Sequence, residues 1–131
     1  MKRIGIWLLP LIFIVGIPTA FAGDPFVQML PVATPEMSPG QVGRHSLSQE
    51  VNPPLFIVGD DALSHRWLSA KRDYLKRIHA VGMVVNVKDA RGWQRMTQYG
   101  LTMYPVRGHD FAAAFHLNHY PVLIEHHQVK Q

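Results

Sequence analysis

The side chains in this chain that could carry chemistry are two neighbouring carboxylates, Asp60-Asp61, a nearby Ser64, and 8 histidines. A carboxylate pair is a start towards a divalent-cation site. A hard cation, however, asks for roughly six to eight oxygen ligands, and no further acids converge by spacing. The histidines suggest a transition metal, which needs several of them on one geometry. His126 and His127 are adjacent on an expected hairpin, so their rings diverge, and His116 and His119 sit at a helix end. No HxxxH or HExxH pair occurs on one helix. A grouping of His109, His116 and His119 at one end of the sheet is the arrangement that would change this. Ser64 lacks the glycine-flanked elbow of a hydrolase nucleophile, and no acid-oriented histidine pairs with it. The chain has no cysteine, which excludes thiolate and thiol–disulfide chemistry. The plainer reading of Asp60 and Asp61 is a helix cap, with Gly59 permitting a sharp strand-to-helix turn.

The elements that position these residues begin at Pro54. Leu55-Phe56-Ile57-Val58 is a short continuous apolar run bounded by proline and glycine, the pattern of a strand buried on both faces. Such a strand needs helices on both sides, so the run predicts an α/β domain. Leu63, Trp67, Tyr74 and Ile78 recur at helical spacing, widened by Leu68 and Leu75, over Ala62 to His79. Val81 to Val87 is a second apolar strand. Asp89 caps a helix carrying Trp93 and Met96, with Gly100 as its stop. Leu101 to Val106 is a third strand, and Pro105 places it at an edge. Asp110 is read as the cap of a short helix with Phe111 and Phe115. Tyr120 to Ile124 is a fourth strand, turning at Glu125-His126-His127-Gln128 into a last strand around Val129.

Residues 1–22 read as a signal peptide. Lys2 and Arg3 precede an apolar run, Ile4 to Ile17, which ends at Pro18 and the small-x-small motif Ala20-Phe21-Ala22. With Pro10 and Gly16 inside it, the run is short of the ~20 residues of a comfortable span. Residues 23–53 carry Pro25, Pro31, Pro35, Pro39 and Pro53 among small polar residues. This predicts an extended arm rather than helix or central strand. A sharper reading lets Phe26-Val27-Gln28-Met29-Leu30 dock on a partner. Residues 54–131 then form one domain. Cleavage leaves about 109 residues and lowers the formal +4 to about +2, so the basic balance is no argument for nucleic acid. Lys71, Arg72, Lys76 and Arg77 form a basic helix face without interleaved exposed aromatics, so direct nucleic-acid contact is not expected.

The segment Phe115-His116-Leu117-Asn118-His119-Tyr120-Pro121-Val122-Leu123-Ile124 resembles the thioredoxin-like signature. The resemblance implies a three-layer domain with a mixed sheet of roughly four or five strands. It also implies a cis bond before Pro121, and an active turn at Asp60-Asp61-Ala62-Leu63-Ser64 from which the cysteines are missing. A wider resemblance runs through Met29-Leu30-Pro31-Val32, Thr34-Pro35-Glu36-Met37-Ser38-Pro39-Gly40, Pro54 to Asp61, Ser64-x-Arg66-Trp67-Leu68, Ala80 to Val87 and His119 to Ile124. It is similar to small exported proteins of proteobacterial integrating conjugative elements. The order of elements is also similar to the periplasmic pilin-assembly protein of F-type conjugation.

What this resemblance implies is a context. The chain is expected to be a non-enzymatic periplasmic component that assists assembly of a conjugative pilus or type IV secretion-like DNA-transfer apparatus through protein–protein contacts. An uncleaved leader would anchor it to the inner membrane. No cofactor or metal is expected. Asp60, Asp61, His119, Tyr120 and Pro121 are expected to rim one groove that grips a partner segment, with Trp67 carried as a further candidate contact. The alternative is a periplasmic metal-handling protein or enzyme that uses the histidine-rich end.

Overall fold

The computed structural model describes residues 24–131. The expected signal peptide, residues 1–22, lies outside them. Apolar runs of strand length alternate with amphipathic stretches, and the chain folds accordingly as a mixed α/β domain. After a 3-10 turn at Pro25–Met29 come β1 (Ser38–Pro39), β2 (His45–Gly59), α1 (Ala62–Arg77) and β3 (Val81–Asn86). α2 (Ala90–Thr97), β4 (Thr102–Pro105), α3 (His109–Phe115), β5 (His119–Tyr120) and β6 (Val122–Lys130) follow. The main sheet has the order β4-β3-β2-β6, with β3 parallel to β2 and β4, and β6 antiparallel to β2. β4 lies at an edge, where Pro105 can be accommodated without an amide to donate.

Successive strand residues point to opposite faces, so each strand supplies two cores. On one face Phe56, Val58, Val84, Met103 and Leu123 pack against Trp67, Leu68 and Leu75 of α1 and Trp93 and Met96 of α2. Gly82 belongs to this face because a Cβ there would collide with the Phe56 ring. On the other face Ile57, Val85, Val122 and Ile124 pack against Phe115 of α3 and Met37 of the proline-rich stretch. The helical layers therefore sit on both sides of the sheet, the second completed by non-helical chain.

Three expectations are corrected. The division at residue 53 falls inside β2, which runs from His45 through Pro53 and Pro54 to Gly59. The two prolines are tolerated because β3 pairs with β2 only from Leu55 onward, and the β6 ladder breaks register between Val51 and Leu55. There is no turn at Glu125–Gln128. β6 is one strand, and His126, at φ 56, absorbs a bulge opposite Val51. Asp110 does not cap α3: the cap position is Gly108, with no side-chain bond, and Asp110 lies in the first turn.

Candidate functional site

The carboxyl ends of β2 and β3 converge on the turn Gly59-Asp60-Asp61, the place where open α/β sheets gather side chains. Asp61 is the N-cap of α1, accepting from the Ser64 amide at 2.9 Å, while Ser64 Oγ accepts from the Gly59 amide at 3.1 Å. Ser64 is fully buried in this reciprocal arrangement, which leaves it no role as a nucleophile. Asp89 caps α2 in the same way, accepting from the Gly92 amide.

Asp60 has a different task. Arg95 of α2 donates to both its oxygens, Nη2 to Oδ2 at 2.8 Å and Nε to Oδ1 at 3.2 Å. His65 Nε2 lies 2.8 Å from Oδ1, and His65 Nδ1 lies 2.6 Å from the Tyr99 hydroxyl. The tautomer that satisfies both has Nε2–H donating to the carboxylate and Nδ1 accepting from the phenol. Partial burial pushes the Asp60 carboxyl up, but the hydrogen bonds from Arg95 and His65 and the Arg95 charge outweigh it and hold it below the ordinary range. The chain Arg95–Asp60–His65–Tyr99 ties α1, α2 and the β2 end together. Beside it lies a cleft of about 480 Å³ bordered by Pro31, Ala33, Asp60, Lys88, Asp89 and Arg95.

Across the turn stands Tyr120, buried, with its ring directly over Gly59: a Cβ at that glycine would lie 2.7 Å from the ring. Its hydroxyl accepts from Asn86 Nδ2 at 3.0 Å. Burial raises the phenol above its ordinary range, the nearby Asp61 charge adds to this, and the Asn86 bond offsets part of it. The Tyr120–Pro121 peptide is cis. The turn and the Tyr-Pro pair therefore face one another as expected.

The groove they were expected to rim is filled by the chain itself. β1 runs parallel to β5, pairing Ser38 with His119 and Pro39 with Tyr120. The Ser38 amide donates to the Asn118 carbonyl, and the Gly40 amide donates to the Tyr120 carbonyl, both at 3.0 Å. Met37 is buried below this ladder at 3 % exposure. Asn86 holds the segment: its Oδ1 accepts from the Thr34 amide at 2.7 Å, and its Nδ2 reaches the Met37 carbonyl. Buried Thr34 donates its hydroxyl to the Val85 carbonyl and accepts from the Gly108 amide.

Of the expected contact residues, His119 is exposed, Tyr120 and Pro121 are buried, and Asp60 and Asp61 are taken up internally. Trp67 is not on the rim at all. It packs in the core on Phe56, with ring centroids 6.2 Å apart. Asn86, Thr34, Met37, Arg95 and His65 carry the local geometry without having been singled out. Asn86 had a visible signal, as the lone amide in the apolar run Val84-Val85-Asn86-Val87. Among the described residues no group of three or more His, Cys, Asp or Glu is placed to hold a metal ion, so His109, His116 and His119 do not assemble into a ligand set.

The chain matches, over residues 17–129, the family described as "Protein of unknown function (DUF2859)", and it belongs to that family. No curated protein matches it. No solved structure matches it either.

Proposed function

We propose that this chain is a non-enzymatic periplasmic component of an integrating conjugative element. In this reading it assists assembly of a pilus or type IV secretion-like transfer apparatus by protein–protein contact. The reading takes the mixed α/β fold as a variant of the thioredoxin-like arrangement, and the strand order supports that. A β2-α1-β3 unit carries an antiparallel strand entered at Pro121, while β4 flanks β3 and the closing hairpin is replaced by the long β6. One observation carries the functional reading. The main chain of β5, beside Pro121, already binds an extended segment by strand addition, namely residues Ser38 to Gly40. An edge that recognises extended chain through main-chain bonds suits docking rather than turnover. At the facing turn the acids serve as a cap and an ion-pair partner, which suits a scaffold. The surface offered outward at this place is Ser38, Pro39 and His119, all exposed.

Cysteine crosslinking in donor cells tests the reading, since the natural chain has no cysteine to interfere. Ser38→Cys and His119→Cys chains, carried with the whole element, should each crosslink to a protein encoded by that element. Deleting the gene should abolish transfer. Normal transfer frequency in the deletion strain would overturn the reading. Substituting Tyr120 or Asp61 is no test, because one supports the core and the other caps α1.

A further inference from the structure

The cleft of about 480 Å³ beside Asp60 has two walls. One is the proline-rich strap at Pro31, Val32 and Ala33, and the other is the end of β3 and the start of α2. Main-chain bonds pin the walls to each other. The Val32 amide donates to the Val87 carbonyl at 2.9 Å, and the Val87 amide donates to the Val32 carbonyl at 3.0 Å. Small-ligand sites enclose roughly 300–1,000 Å³, so the cleft is of that class.

What it would bind follows from which of its polar groups are already spent. Both Asp60 oxygens are taken: Oδ1 faces Arg95 Nε and His65 Nε2, and Oδ2 accepts from Arg95 Nη2. The Asn86 side chain is committed to Thr34, Met37 and Tyr120. Asp89 caps α2 through the Gly92 amide, and its charge is set against the positive end of that helix. The cations, by contrast, keep donors to spare. Asp60 lies on the Nε–Nη2 edge of Arg95, a position open to it because a Cβ at Gly92 would come within 2.7 Å of Oδ2. The Nη1–Nη2 edge, a fork of two parallel N–H groups, has no acceptor among the described residues. Lys88 is exposed and enters no ion pair among the described residues.

With Arg95 matched to Asp60 and Asp89 to the helix end, one positive charge is left over, at Lys88. A free guanidinium fork and a single surplus charge suit a planar, singly charged anion. A phosphate group, more than singly charged at neutral pH, would leave charge uncompensated. Pro31, Ala33 and Val87 add apolar surface alongside. We propose that this cleft binds a carboxylate carried on a short apolar body. The free edge of Arg95 and the Lys88 ammonium hold the carboxylate, and the apolar part lies against Pro31, Ala33 and Val87. Such a group comes either from the C-terminus of a partner polypeptide or from a free aliphatic acid. The site is separate from docking at β5, since none of its residues is Ser38, Pro39 or His119, and each can fail alone.

The test is a titration of the chain as isolated from cells, followed by amide NMR at neutral pH. The probes are N-acetyl-alanyl-leucine, its C-terminal amide, isovalerate and inorganic phosphate. The dipeptide acid should bind saturably and move the Val87, Lys88 and Asp89 amides while those of His45 and Gln128 stay in place. Its C-terminal amide should bind about tenfold more weakly or worse. Lys88→Gln, at an exposed position, and Arg95→Lys, which keeps a charge for Asp60 but loses the fork, should each weaken the acid about tenfold. Tighter binding of the dipeptide than of isovalerate assigns the site to a chain terminus, and isovalerate as tight or tighter assigns it to a free acid; both support the proposal. It is overturned by the absence of saturable shifts with either acid, by equal binding of acid and amide, by phosphate binding as tightly as the dipeptide, or by Lys88→Gln binding like the parent.

Discussion

The two faces of the sheet are covered by different kinds of chain, and they are held by different physics. On one side α1 and α2 pack with their own periodic stripes, and both follow the strand they cover. On the other side α3 is joined by residues 34–43, which have no hydrophobic period. That segment is held by one buried plug, Met37, and by polar bonds at Thr34 and Asn86. A helix layer spreads its stabilisation over many apolar contacts. The proline-rich layer concentrates its own on a few directional ones, so it should open locally while the remainder stays folded.

The largest expected effect lies on the helical face. Leu68→Ala removes a fully buried side chain and should cost about 2–5 kcal/mol of global stability by denaturant unfolding, with no change in local protease sensitivity. Met37→Ala should cost less, about 2 kcal/mol, because the segment can lift rather than leave a cavity. Its signature should be cleavage by protease between Thr34 and Gly43 at denaturant concentrations where the core is intact. If Met37→Ala instead lowers global stability as much as Leu68→Ala, the two layers are one cooperative unit and the contrast collapses.

Asn86→Ala strips partners from the Thr34 amide, the Met37 carbonyl and the Tyr120 hydroxyl, and should cost about 1–3 kcal/mol. Faster hydrogen exchange at Ser38 and Gly40 than at Phe56 in this variant would sharpen the comparison. The smallest effect is a pH dependence. Asp60 has its folded-state pKa lowered, so its ion pairing stabilises the fold above the ordinary carboxylate pKa. That contribution is lost as pH falls through the folded value. Arg95→Gln should therefore flatten part of the acid limb of a stability-versus-pH curve below about pH 4 and leave the neutral region with a small offset. Glu125 is also held low: burial pushes it up, but bonds from Tyr74 and Lys130 more than compensate, so part of the acid limb survives in that variant.

Legibility in the sequence followed the same divide. Leu55 to Val58, Val81 to Val87, the α1 stripe and the cap Asp89 could be read directly, and the α1 cap could be narrowed to Asp60 or Asp61, because burial on both faces and helix ends leave local signatures. The N-terminal half of β2 could not. Its prolines argue against a strand, and only the break in the β6 ladder shows why they are harmless. The polar run Glu125-His126-His127-Gln128 looks like a turn, yet it belongs to an edge strand whose middle residues face water. At the candidate site, the facing of Tyr120 and the Gly59 turn was foreseen through a resemblance. That the proline-rich segment would occupy the space between was not, since a plug and an amide clasp have no period to detect.

That clasp also orders events in time. A ribosome delivers the chain N-terminus first, so Thr34 and Met37 are made well before the groups that receive them. The Thr34 amide waits for Asn86, 52 residues later, and the Gly40 carbonyl accepts from Gln131, 91 residues later. Until that distal sequence arrives, the proline-rich stretch has nothing to pair with. The earliest part of the domain to be synthesised is thus among the last to settle, and during that interval it is open to any other strand-binding surface it meets.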